Sequence, residues 1–293
     1  MVLSKQEKGF QFLANIFMIL LSLTTLLPFV IMVSSSFSNE IMIMAKGYSI
    51  FPRGLSLEAY TYIFNNAAVV FRAYGVTLTV TAAGTAASLV LTNMFAFVLA
   101  QKKYVFTKIL TFMVVFTMLF HGGLVATYYV YTQIFGIKNT IFALIIPGLL
   151  MNGFSLILVR NYMITSIPAS LVEAAEIDGC SKSGIYSKIV LPLSLPITAT
   201  IGLLTGLAYW NDWQNGLYYI TGNQYHSIQQ VLRGMISNVQ YLQQSGSYVE
   251  TSNIPLTTVR MAIAVIAIIP VLIIYPGFQK YFVKGITIGA VKE

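Results

Sequence analysis

The chain has 293 residues, of which 57% are hydrophobic and only 9% charged, with a formal net charge of +8. An ordinary soluble domain carries about 25% charged residues, so this composition excludes a solvated globular surface and makes lipid the solvent. The basic residues lie between apolar runs, which argues for topology rather than a nucleic-acid patch, and the single cysteine, Cys180, excludes an intramolecular disulfide and a cysteine-rich metal site.

A helix needs about 20 apolar residues to cross the hydrocarbon core. Six stretches meet that length, at residues 12–33, 74–100, 105–125, 140–159, 192–213 and 259–279. Each is expected to be helical, because lipid offers the backbone no hydrogen bonds. The first is too long for a signal peptide and no small-x-small cleavage site closes it, so it too reads as a span. The second carries Thr81-Ala82-Ala83-Gly84-Thr85-Ala86-Ala87-Ser88. Small residues let helix backbones approach closely in lipid; helix packing accounts for the cluster, and a face lining a pathway is the functional alternative.

Orientation follows from Lys and Arg. With the N-terminus inside, Lys5, Lys8, Lys102, Lys103, Lys108, Arg160, Lys182, Lys188, Lys280, Lys284 and Lys292 are cytoplasmic, 11 of 17. Lys46, Arg53, Arg72, Lys138, Arg233 and Arg260 fall outside. The bias places both termini in the cytoplasm, as six spans require. The chain therefore reads as one transmembrane domain over residues 1–293, with an inner loop at 161–191 and outer loops at 34–73 and 214–258.

The inner loop contains Ile167-Pro168-Ala169-Ser170-Leu171-Val172-Glu173-Ala174-Ala175-Glu176-Ile177-Asp178-Gly179. Pro168 suits a first helical turn and Gly179 the left-handed position that ends a helix, which predicts a short helix over 168–178. Ser181 then caps a second one through Val190, and Pro192 marks the turn into the fifth span. The hairpin offers an apolar, low-profile ridge at Leu171, Ala174, Ala175 and Ile177, with acids at Glu173, Glu176 and Asp178. The residues alone leave two readings open: a docking surface for another protein, or a structured loop packed on its own bundle.

The spacing from Pro168 through Glu173-Ala174-Ala175, Asp178-Gly179, Ile189 and Leu191-Pro192 to Pro196 resembles the EAA motif of binding-protein-dependent ABC importer permeases. Phe120-His121-Gly122-Gly123-Leu124-Val125 and the tail from Gln279 to Lys292 resemble elements of the carbohydrate-importer type, the LplC/YtcP-like permeases and the maltose permease subunit MalG. This resemblance implies an all-α integral membrane protein with six transmembrane helices, the type I ABC importer permease fold, and cytoplasmic coupling helices between spans 4 and 5. It implies that Glu173, Ala174, Ala175, Asp178 and Gly179 meet the ATPase, and that the tail at Gly289 to Lys292 reaches toward the ATPase dimer interface. Cys180 stands where Ala is usual in the family and Gly184 where a bulkier residue is common.

The same resemblance implies the partners. They are a second permease subunit in a heterodimer, two ABC ATPase subunits that bind ATP and Mg, an extracytoplasmic solute-binding protein, a carbohydrate substrate and membrane lipid, with no nucleic acid. The location is the bacterial cytoplasmic membrane. The substrate expected is an oligosaccharide, extending to uronic-acid oligosaccharides such as alginate or pectin fragments; Arg72, Arg233 and Arg260 are outer cations that suit acidic sugars. A non-sugar solute and a secondary transporter are the alternatives.

No GxxxxGK[ST] phosphate loop is present, so the chain is read as a transport subunit without its own ATPase site or cofactor. No HExxH or Cys/His cluster suggests a metal, and His121 and His226 are isolated. No ionisable residue lies near the middle of any predicted span, which counts against an ion-coupled transporter. Tyr209, Trp210, Asn211, Asp212 and Trp213 end the fifth stretch. They read either as an interfacial aromatic belt or as a channel mouth where aromatics stack on sugar rings and polar groups take the hydroxyls. The outer loop adds Tyr225, His226, Gln229, Gln230, Tyr241, Gln243 and Gln244, a polar, aromatic surface that resembles the loop reaching into the sugar-binding protein.

Overall fold

The computed structural model describes residues 5–65, 67–101, 105–234, 237 and 255–290. Lys102, Lys103, Tyr241, Gln243, Gln244, Val291 and Lys292 lie outside the described residues. Every regular element among those described is helical. Three helices are long and apolar enough to cross a membrane, and three further bent helix pairs raise the candidate spans to six. The chain divides into two units, residues 1–70 with 232–269, and residues 71–231 with 270–293.

The first unit opens with α1, Lys5–Ser36. Its apolar side chains stand exposed, and Ser22, Thr24 and Thr25 return their hydroxyls to carbonyls one turn back, as a helix in lipid must. A tight hairpin follows. Asn39 accepts from the Ile41 N–H at 3.0 Å and caps α2, Glu40–Lys46; Ser38 and Leu55 form an isolated antiparallel bridge. Helix α3 is Glu58–Asn65. The Glu40 carboxylate accepts from the N–H groups of Thr257 and Thr258 at 2.9 and 2.8 Å, satisfying two of the unpaired donors at the start of the last helix, Leu256–Ala290.

From residue 71 on, α4, Ala67–Ala100, belongs to the second unit. The third predicted stretch is not one straight helix. Helix α5, Val105–Leu119, stops ahead of Phe120-His121-Gly122, and α6, Gly123–Tyr129, leaves at 117° to the line of α5. Gly123 lies in the left-handed region at φ 79°, which Gly enters without a side-chain clash. A π-helical turn, Val130–Ile134, continues α6.

The fourth stretch differs more. Only α7, Phe142–Ile145, and the start of α8, Gly153–Ser166, are helical within residues 140–159. Pro147 has no N–H to continue the ladder, Gly148 sits at φ 71°, and Asn152 restarts the helix by accepting from Ser155 N–H at 3.0 Å. Apolar composition conceals all three signals. The inner hairpin comprises α9, Ala169–Ile177, and α10, Lys182–Ile185, with a π-helical turn Tyr186–Val190 and the short α11, Leu191–Leu193. Helix α12, Leu195–Trp210, then turns away by 76°, and α13 is Gln214–Tyr219. Beneath the hairpin lies a core of Ala96, Leu99, Leu156, Val159, Met163, Ile185 and Ile201.

Candidate functional site

The inner hairpin is built by local chemistry. Pro168 in an extended conformation precedes α9, and Gly179 at φ 78° ends it. The Cys180 N–H reaches the Ala175 carbonyl at 2.9 Å, closing the helix end. Ser181 accepts from Gly184 N–H at 3.2 Å and caps α10. Lys182 forms an ion pair with Glu176 across the turn.

These constraints give α9 two faces. Val172, Ala175 and Cys180 pack on the core beneath. Glu173 and Ala174 are exposed, and Ile177 is 86% exposed. The five residues singled out from the sequence are thus split: Ala175 faces inward, while Glu173, Ala174, Asp178 and Gly179 lie on the free surface.

Sequence reasoning missed a joint between α8, which leads into this hairpin, and α4. Arg160, on α8, donates from Nε to the Leu99 carbonyl at 3.1 Å. That carbonyl is among the last four of α4, which have no partner within the helix. A cation there also suits the negative end of the helix dipole. The sequence offered Arg160 only as a topological charge.

The segment from Tyr209 to Trp213 separates in the same way. Tyr209 is buried, and its hydroxyl donates to the Ile145 carbonyl at 2.8 Å. Asn215 donates to the Pro147 carbonyl at 3.0 Å. The break in the fourth stretch frees both carbonyls, and Tyr209 of the fifth stretch and Asn215 of the following helix satisfy them. Asp212 accepts from the N–H groups of Gln214 and Asn215 at 3.0 and 3.2 Å, capping α13. Tyr209 and Asp212 therefore hold the fold, and an interfacial belt does not describe Tyr209 or Trp210, since both are buried.

Trp210 has a different neighbourhood. It lines a cavity of about 480 Å³ with Thr81, Ala82, Thr85, Gly202 and Gly206. The small-residue cluster of α4 therefore faces α12 across this space, and Tyr74 stands tilted against Trp210 at 6.4 Å.

The start of the outer loop is pinned to this region. Ile228 N–H donates to Thr77 Oγ1 at 2.9 Å, and Gln229 donates to Asn211 Oδ1 at 3.2 Å. Burial holds the His226 imidazole below the usual histidine range. Arg72 and Arg233 are exposed, and Arg260 is half-buried with its Nε unpaired. Among the described residues no group of three metal-ligating side chains converges.

Comparison with known proteins agrees with the sequence resemblance. The family model described as "Binding-protein-dependent transport system inner membrane component" matches residues 7–288. The chain is 38% identical over 288 residues to the polygalacturonan/rhamnogalacturonan transport system permease protein YtcP of Bacillus subtilis, covering 98% of this chain and 99% of that protein. Protein LplC of the same organism is 36% identical over 268 residues, covering 92% and 90% of the two chains. A bacterial ABC transporter structure, described as involved in import of the acidic polysaccharide alginate, superposes with a TM-score of 0.82 at 28% identity, covering 96% of this chain and 99% of that one.

Proposed function

We propose, from the premise that this chain belongs to the family of binding-protein-dependent transport system inner membrane components, that it forms half of an oligosaccharide pathway and receives the ATPase stroke through its inner hairpin. It is a multi-pass permease of the inner membrane, a component distinct from the ATPase subunits that serve such an importer. The reading places both termini in the cytoplasm. It pairs this chain with a different permease subunit, with two ATPase subunits that bind ATP and Mg, and with an external binding protein.

One observation carries the coupling role: α9 packs Val172, Ala175 and Cys180 on the core while Glu173, Ala174 and Ile177 project free. A helix seated on the core by one face transmits a push on its other face to what lies beneath. Here that is the base of α8 and, through Arg160, the end of α4.

For the pathway we assign Trp210 and the α4 face at Thr81 and Thr85, which share one cavity. An indole stacks on the apolar face of a sugar ring. The substrate class rests on the relatives, whose names give polygalacturonan, rhamnogalacturonan and alginate; acidic oligosaccharides are therefore the substrates we assign. The test is reconstitution with the partner permease, the ATPase and the binding protein, measuring ATP hydrolysis with galacturonate and alginate oligomers against neutral sugars, peptides and amino acids. Stimulation by acidic oligosaccharides is expected. Stimulation by a peptide or amino acid and by no sugar would overturn the substrate assignment.

A further inference from the structure

The connection between α1 and α4 is a built object rather than a slack loop. Gly47 and Gly54, at φ 72° and 65°, turn the chain at either end of an eight-residue segment from 47 to 54. The Asn39 N–H donates to the Arg53 and Gly54 carbonyls at 3.0 and 2.7 Å. Arg53 N–H donates to Ser38 Oγ at 3.1 Å, and Ser56 N–H to the Phe37 carbonyl at 2.9 Å. Phe37 and Tyr60 stack at 4.9 Å beneath it.

This braced segment displays apolar side chains outward. Ile41, Met44, Tyr48, Phe51 and Leu55 are all exposed, Phe51 by 79% and Leu55 by 83%. Among them lie two cations. Arg53 donates from its guanidinium to the Lys46 carbonyl at 2.6 Å, bringing the two residues together. Neither Lys46 nor Arg53 forms an ion pair with a carboxylate among the described residues. Of the nearby acids, Glu40 is committed to the last helix.

The chain enters this segment directly from the membrane helix α1 and leaves it through the short α3 toward the membrane helix α4, so covalent continuity with α1 holds it near the membrane surface. Exposed aliphatic and aromatic groups beside cations that meet no carboxylate among the described residues suit the interface, where rings and stems enter the acyl boundary and cations meet phosphates. We infer that the Glu40–Leu55 hairpin is a membrane-surface anchor, seating Met44, Tyr48, Phe51 and Leu55 in the outer leaflet and Lys46 and Arg53 on phospholipid phosphates.

The test is fluorescence of a Phe51→Trp chain in the assembled transporter, reconstituted in phosphatidylglycerol/phosphatidylcholine vesicles, read as the difference from the parent. Lipids brominated near the headgroup end of the acyl chain should quench the added tryptophan by about half, and acrylamide in the water should quench it little. Leu55→Trp gives an independent reading should Phe51→Trp fail to assemble. Quenching by acrylamide alone would place the hairpin in water, and quenching by neither agent would place a protein partner over it; either result overturns the proposal. Adding Lys46→Gln and Arg53→Gln to the Phe51→Trp chain should weaken the bromine quenching, and unchanged quenching would overturn the phosphate contact.

Discussion

A Cβ placed on Gly184 would stand 2.8 Å from Cys180 Sγ and 3.2 Å from Ser181 Oγ. Cys180 and Gly184 are therefore a matched pair. The larger Cys180, packed on the core, occupies the space that a side chain at 184 would take. Gly184→Ala alone should destabilise the protein by about 1 kcal/mol through overpacking. Cys180→Ala with Gly184→Ala should recover most of that loss. Thermal unfolding of the four chains in a double-mutant cycle measures the coupling, and additive effects would separate the two residues.

Gly84 and Tyr209 form a second close pair. The nearest Tyr209 ring carbon would be 2.5 Å from a Cβ at Gly84, and the ring is fixed by its bond to Ile145. It therefore lacks the freedom to swing aside. Gly84→Ala should cost about 1–3 kcal/mol, read as a lower melting temperature of the purified chain. Tyr209→Phe keeps the ring but leaves the Ile145 carbonyl unpaired, and should cost about 1 kcal/mol.

Arg160 should matter beyond its charge. Its Nε, rather than a terminal nitrogen, meets the Leu99 carbonyl, so Lys cannot reproduce the geometry. Arg160→Ala and Arg160→Lys should each lose about 1–2 kcal/mol of stability. Both should also lower binding-protein-stimulated ATP hydrolysis more than basal hydrolysis, because the joint between α8, which leads into the hairpin, and α4 is loosened. Equal loss of both activities would reduce Arg160 to a folding residue.

Acid should loosen the start of the outer loop. Burial lowers the folded-state pKa of His226, so the neutral ring is favoured on folding. Its contribution is present above the ordinary histidine range and is lost as pH falls through the depressed folded value. The hydrogen-exchange protection of residues 226–231, taken relative to the intrinsic exchange rate at each pH, should therefore fall on acidification. His226→Gln should flatten that dependence, and an unchanged pH profile in the variant would assign it to another group.

The hairpin was legible in the sequence because its signals are local. Pro168, Gly179 and Ser181 each act on their own turn, and α9 runs from Ala169 to Ile177 within the anticipated 168–178. The breaks in the third and fourth apolar stretches were not legible, because hydropathy is blind to backbone geometry. Gly123 and the Pro147-Gly148 pair interrupt runs that remain apolar throughout. Long-range partners were equally hidden. Nothing near Arg160 announces Leu99, 61 residues away, and nothing near Glu40 announces Thr257, 217 residues away. Trp210 and Tyr209 are adjacent and chemically alike, yet only Trp210 lines the cavity, since helical rotation turns Tyr209 onto Gly84.

The free face of α9 is the centre of the account, and adjacent alanines test it most directly. Ala174 is exposed and Ala175 packs on the core. The measurement is the amount of ATPase subunit that copurifies with the membrane subunits, alongside their melting temperature. Ala174→Arg should leave the melting temperature within a degree or two while reducing copurified ATPase by about tenfold or more. Ala175→Arg should lower the melting temperature itself by burying a charge. Full ATPase recovery with Ala174→Arg would contradict the assignment of this face as the coupling surface.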